Sequence, residues 1–128
     1  LHAGDGVTAF GIDSGQLVYI REGKVWMEGP GTPMFVTDRS AVIGNSLNTN
    51  EPWVIVSFVG QLPVIIQGPA KEGDYLIPNP HLPMCVVAVG KDDCTFEQYK
   101  NAVGICWSNT PDLKQVDISR VLCAVGVK

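Results

Sequence analysis

Charge is what this chain has least of. Its 128 residues include only 17% Asp, Glu, Lys and Arg, against about 25% in an ordinary soluble domain. Nine basic residues against thirteen acidic ones give a net charge of -4. The basic side chains are scattered, so no stripe of positive charge faces a phosphate backbone, which argues against nucleic acid as a partner. Long apolar runs are missing too. The longest, Trp53 to Val59, falls far below the roughly 20 residues of a membrane-spanning helix. Residues Leu1 to Phe10 lack the charged start and long apolar stretch of a signal peptide.

Histidine is scarce, with His2 and His81 alone. Two histidines without ligand-like spacing predict no metal site. His81 lies in "NPHLP" with no neighbour to orient it as a base, so it reads as a loop residue. Glycines are plentiful, yet neither GxxxxGK nor GxGxxG occurs in a strand-to-helix setting, and no cofactor is expected. The thirteen carboxylates show no pairing that sequence can place in space, so no acid–base dyad is expected. No catalytic constellation is recognisable, and an enzyme is the lesser expectation.

Cysteine is sparse as well. Cys85, Cys94, Cys106 and Cys123 match no zinc spacing. Two disulfides in any of three connectivities are open to an even set. Three of the four, however, lie in the apolar runs "MCVV", "GICW" and "VLCA", where a reduced cysteine serves as a small hydrophobe. Free thiols are the expectation, because a chain of this length buries about 65–70% of its unfolded surface and needs no staple.

What is abundant is apolar residue in short runs. The hydrophobic share is 45%, cut by Gly, Pro and Asn at intervals of about 8 to 12 residues. This predicts a mainly β fold, a small barrel or sandwich of about nine short antiparallel strands. Leu17–Ile20 and Val25–Met27 read as a hairpin turned at Gly23. Trp53–Val59 and Leu62–Gln67 read as a second hairpin turned at Gly60-Gln61, with the first arm apolar on both faces and therefore covered on both. Pro63 cannot donate to a ladder and belongs at an edge or bulge. One short helix near Phe96–Asn101 is predicted by Thr95 and Gln98 in capping-box spacing, with Phe96, Tyr99 and Val103 facing inward. In "KEGDYL", Gly73 supplies a positive φ and Asp74 bonds backbone to fix the corner. Trp26, Trp53 and Trp107 read as core or interface anchors rather than a ligand platform. Trp53, Ile55, Phe58 and Trp107 are the candidate core or interface set.

Several segments, in order, resemble one family. They are "TDRSAVIGN" (37–45), "EPWVIVSFVGQLPVIIQGPAKEGDYLIPN" (51–79), "TFEQYKNAVGICWSN" (95–109) and "RVLCAVGVK" (120–128). Together they resemble the C-terminal β domain of phage tail fibres and neck appendages, the intramolecular-chaperone, self-cleaving type grouped with glutamic peptidases. The matching positions are Val59, Gly60, Pro63 and Val64, then Lys71, Gly73, Asp74 and Leu76, then Ala102 to Cys106. The resemblance implies a trimerising assembly module at an extracellular, virion or cell surface. The family's acidic Ala-Asp-Tyr-Ala-Glu-like cleavage segment has no counterpart here, so no catalytic residue is carried over.

Three functions follow as expectations. The first is a structural module, residues 1–128 forming one β-rich domain that supports homo-oligomerisation of a longer protein. The start at Leu1 rather than Met suggests a fragment or processed product. The second is a self-cleaving peptidase whose catalytic segment lies upstream. The third is a glycan- or peptide-binding module using the loops Asn48–Pro52 and Pro78–Pro83.

Overall fold

The computed structural model describes residues 2–3, 14–38, 55–57, 59–110 and 113–126. The elements are β1 (His2–Ala3), β2 (Leu17–Arg21), β3 (Lys24–Trp26), β4 (Thr32–Asp38), β5 (Ile55–Ser57), β6 (Gly60–Gln67), β7 (Tyr75–Pro78), β8 (Val86–Val89), α1 (Phe96–Asn101), β9 (Gly104–Cys106) and β10 (Ile118–Val125). The fold is mainly β, as the turn spacing predicts. Strands β1-β3-β2-β4-β5 form an open sheet, and β10-β6-β8-β7-β9 close into a barrel. Two pairings, β1 with β3 and β6 with β8, are parallel rather than antiparallel.

The β2–β3 hairpin forms where predicted. Glu22 and Gly23 both take positive φ, 55° and 74°, the combination a two-residue type I′ turn requires. Arg21 packs its guanidinium 4.2 Å from the Trp26 ring and donates to the Pro30 carbonyl at 2.6 Å. Trp26 is therefore a half-buried partner of Arg21 rather than a core residue. Val18, Val25 and Val36 make a small apolar cluster on the open sheet.

The barrel is built on β6 and β10, paired over eight residues from Gly60↔Val125 to Gln67↔Ile118. Alternation along a strand sends Leu62, Val64 and Ile66 inward from β6, and Val121, Cys123 and Val125 inward from β10. They join Leu17, Phe35, Leu76, Val86, Val103 and Cys106 in one core, so the open sheet and the barrel share their interior. Backbone bonds tie them together: Gly15 N–H donates to Val36 O (2.7 Å), Ile65 N–H to Gly15 O (2.9 Å), and Leu17 N–H to Met84 O (3.1 Å).

Among the described residues the second predicted hairpin does not form. β5 pairs with β4 in the open sheet, while β6 begins at Gly60 itself and pairs with β10 in the barrel. Gly60 has the positive φ expected of it, 139°, but stands opposite Val125 rather than turning a hairpin. Two apolar runs around a Gly look like a hairpin locally. A distant strand with the right alternation over eight residues offers β6 a longer ladder and wins. Val59, 54% exposed, also shows that the Trp53–Val59 run is not covered on both faces at this end. Ile55 opens β5; Trp53 and Phe58 lie outside the described residues, as do the loop at 48–52 and residues 41–43, where the run "AVI" reads in the sequence as a further strand.

Among the described residues, Pro63 sits where β10 is the only strand beside β6, since β8 meets β6 only at Ile66↔Val86. Its missing N–H therefore interrupts no second ladder. Near the N-terminus, β1 lies beside β3. Helix α1 carries the predicted cap: Gln98 N–H donates to Thr95 Oγ1 (3.1 Å) and Thr95 N–H to Gln98 Oε1 (2.9 Å). Its predicted inward face is a correction. Phe96 is 74% exposed and α1 buries no residue. Six residues are too few to lay a stripe on the barrel. Instead, α1 is held by the edge-on contact of Tyr99 with Tyr75, centroids 5.3 Å apart, and by buried Val103 beyond its end.

Candidate functional site

The alternation that fills the barrel also sets its outer face. With Val121, Cys123 and Val125 inside, β10 turns Ile118, Arg120 and Leu122 outward. Register places Pro63 of β6 opposite Leu122. On the other side, Trp107 N–H donates to the Leu122 carbonyl at 3.0 Å, which brings Trp107 beside it at the end of β9. Trp107, Leu122 and Pro63 thus form a row across three neighbouring strands. Trp107 is 48% exposed and Leu122 38%, with Ile118 at 56% farther along β10. Arg120, the charge between the two β10 apolar residues, donates its Nε to Ser14 O at 3.0 Å. Large exposed apolar groups in contiguous array mark a surface that another molecule covers. A tryptophan at its edge is the side chain that most often anchors such contacts.

Of the residues singled out in the sequence, Trp107 belongs to this face, on its exposed side rather than in the core. Pro63 joins it as Leu122's neighbour. Leu122 and Ile118 were missed. The signal is present in "ISRVLCAV": once Val121, Cys123 and Val125 are taken as the inner set, period two assigns Ile118 and Leu122 to the outside.

The Gly73–Asp74 corner lies elsewhere and has the predicted architecture. Gly73 has φ 92°, Asp74 Oδ2 accepts from Lys71 N–H at 3.0 Å, and Gly73 N–H donates to Cys106 O at 2.7 Å, pinning the turn to β9. The fold does bring acids together here. Glu72, Asp74, Asp92 and Asp93 rim a hollow of about 330 Å³ with Gly90 and Lys91. Asp92, Asp93 and Glu72 are exposed to water, and one oxygen of Asp74 is occupied by the turn. Among the described residues no group of His, Cys, Asp and Glu is arranged to hold a metal ion.

A larger cleft, about 540 Å³, opens beside the Pro78–Pro83 loop. Ile77, Val87 and Ala88 line it with the polar groups of Gln67, Asn79, His81, Gln98 and Gln115. Asn79 is buried and shapes the loop, donating from Nδ2 to Gln67 Oε1 (2.6 Å) and accepting His81 N–H at Oδ1 (2.9 Å). His81 itself is exposed on that loop.

All four cysteines are free. Cys85, Cys106 and Cys123 are buried, as their apolar surroundings in sequence suggested. Burial pushes the Cys85 thiol up despite a bond from Asn79. Cys106 and Cys123 are cross-strand partners. A hydrogen bond from Cys123 holds the Cys106 thiol below the ordinary value, to about 7, against the opposing effect of burial. The same bond and burial push Cys123 up.

No helix among the described residues is long and apolar enough to cross a membrane. Compared with known proteins, the chain matches no family model, no curated protein and no solved structure.

Proposed function

We propose that the chain is an assembly module, a β domain that joins copies of itself through the Trp107–Leu122–Pro63 face. The observation that carries this reading is the row of exposed apolar side chains across β9, β10 and β6. Low charge, 17% of residues, agrees with a molecule that hides surface against a partner. Copies of one chain associate most often through closed symmetric contacts, and the resemblance to fibre-assembly domains favours a trimer. The test is Leu122→Glu, which places a charge in the centre of the face without touching the barrel interior. Burying an unpaired charge costs at least about 2 kcal/mol, roughly 30-fold in association. Size-exclusion chromatography with light scattering should show the variant dissociating while its circular dichroism stays native. An equally large assembly for the variant refutes the use of this face.

A second reading, binding of an uncharged glycan or peptide, is favoured by the cleft beside the Pro78–Pro83 loop. Its neutral amides and apolar floor suit a ligand with hydroxyl or amide groups and no net charge. A glycan and peptide array should then give binders that Gln98→Ala weakens; an array with none removes this reading.

A further inference from the structure

We propose that Cys106 and Cys123 are a disulfide-forming pair, an oxidation site that locks the barrel where β9 closes on β10. Register sets Cys123 opposite Cys106, with Ala124 opposite Ile105 and Val125 opposite Gly104. The ladder fixes which kind of pair this is. Trp107 N–H donates to Leu122 O and Gly126 N–H to Val103 O. Antiparallel pairs alternate between hydrogen-bonded and non-hydrogen-bonded, so 107/122, 105/124 and 103/126 are bonded pairs. Cys106/Cys123 falls between them as a non-hydrogen-bonded pair. In that position Cα atoms sit about 4.5 Å apart with side chains drawn together, inside the span of about 4.4–6.8 Å that a disulfide bridges. Both side chains point into the same core and both are fully buried; in the closed barrel Cys106 Sγ donates to the Ser108 carbonyl at 3.0 Å and Cys123 Sγ to the Val121 carbonyl at 3.3 Å. Cys85 has separate partners in Asn79 and the Leu82 carbonyl, and Cys94 bonds the Thr95 carbonyl.

The co-reactant is a small disulfide such as oxidised glutathione. The Cys106 thiolate attacks one of its sulfurs, the S–S bond breaks, and one small thiol leaves. Cys123 gives up its proton and attacks the Cys106 sulfur of the mixed disulfide, and the second small thiol leaves. Two protein thiols are oxidised and one small disulfide is reduced to two thiols. The two cysteines are interchangeable in these roles, because the exchange runs while the seam is open and attack needs only a thiolate.

Full burial fixes when this happens. A small disulfide reaches the pair only while the seam is open. The β9–β10 ladder has three pairs and β10–β6 eight, so β9 is the side that parts. Oxidation therefore belongs to folding or to transient opening of β9, and closure then shields the bond from reductant.

The experiment refolds the unmodified chain in a glutathione redox buffer, quenches with acid, and maps it by mass spectrometry after alkylation and digestion. The expected result is a loss of about 2 Da with one bond, Cys106–Cys123, and a melting temperature at least about 5 °C above the reduced form. Folded, reduced protein should acquire the same bond more slowly, and faster as sub-denaturing urea is added. Four free thiols after refolding, or a bond that includes Cys85 or Cys94, overturns the proposal. Because the mapping uses the unmodified chain, its outcome does not depend on whether Cys123→Ser folds.

Discussion

Two glycines stand where no other residue is accommodated cheaply, for different reasons. At Gly73 the space around an added Cβ is open, so the cost of a side chain lies in its φ of 92° alone, about 1–2 kcal/mol and most for a β-branched residue. Asp74 contributes one hydrogen bond to Lys71 N–H, about 0.5–1.5 kcal/mol at a half-exposed position. Thermal melts should therefore place Gly73→Val below Asp74→Ala; the reverse order would contradict the turn as described. Gly104 is the opposite case. A Cβ there runs into the Ala124 carbonyl oxygen and lies 3.1 Å from Val125 Cα, both backbone of β10. Gly104→Ala should cost at least about 2 kcal/mol by forcing β9 from β10, and a variant with unchanged melting temperature would show that the seam is looser than the register implies. The Gly73 corner was legible in "KEGDYL" because both of its functions are local. Gly104 was not, because its constraint comes from a strand distant in sequence.

Elements divide along the same line. The β2–β3 hairpin and the α1 cap depend on residues within one turn of each other, and local pattern placed both. The inner face of α1 and the partner of β6 depend on what lies across the fold. Gly60-Gln61 had hairpin chemistry, yet β6 took β10, whose inner Val121, Cys123 and Val125 complete its alternation. The helix gives a test at this scale. Thr95→Ala removes a cap worth about 1 kcal/mol. Since α1 buries no side chain, most of that loss should stay local. Hydrogen exchange should speed up at the amides of α1 by several-fold while those of β6 and β10 keep their protection; equal acceleration in both would mean that α1 is part of the barrel's cooperative unit.

At the scale of the whole molecule, one strand does two jobs. The inner side of β10 completes the core and places Cys123 against Cys106. Its outer side, with Trp107 and Pro63, makes an apolar face. That face was only half legible. Trp107 and Pro63 stood out by residue type, but their meeting with Leu122 follows from barrel closure, which no local pattern encodes. Proposed assembly follows from leaving such a surface on an otherwise weakly charged protein. The most direct test is sedimentation velocity on the unmodified chain over a wide concentration range, reaching about 100 µM, which covers dissociation constants of the order of micromolar. One discrete oligomer, a trimer by the resemblance, should gain population with concentration and be lost in Leu122→Glu. A single monomer boundary at every concentration would rule out self-assembly through this face.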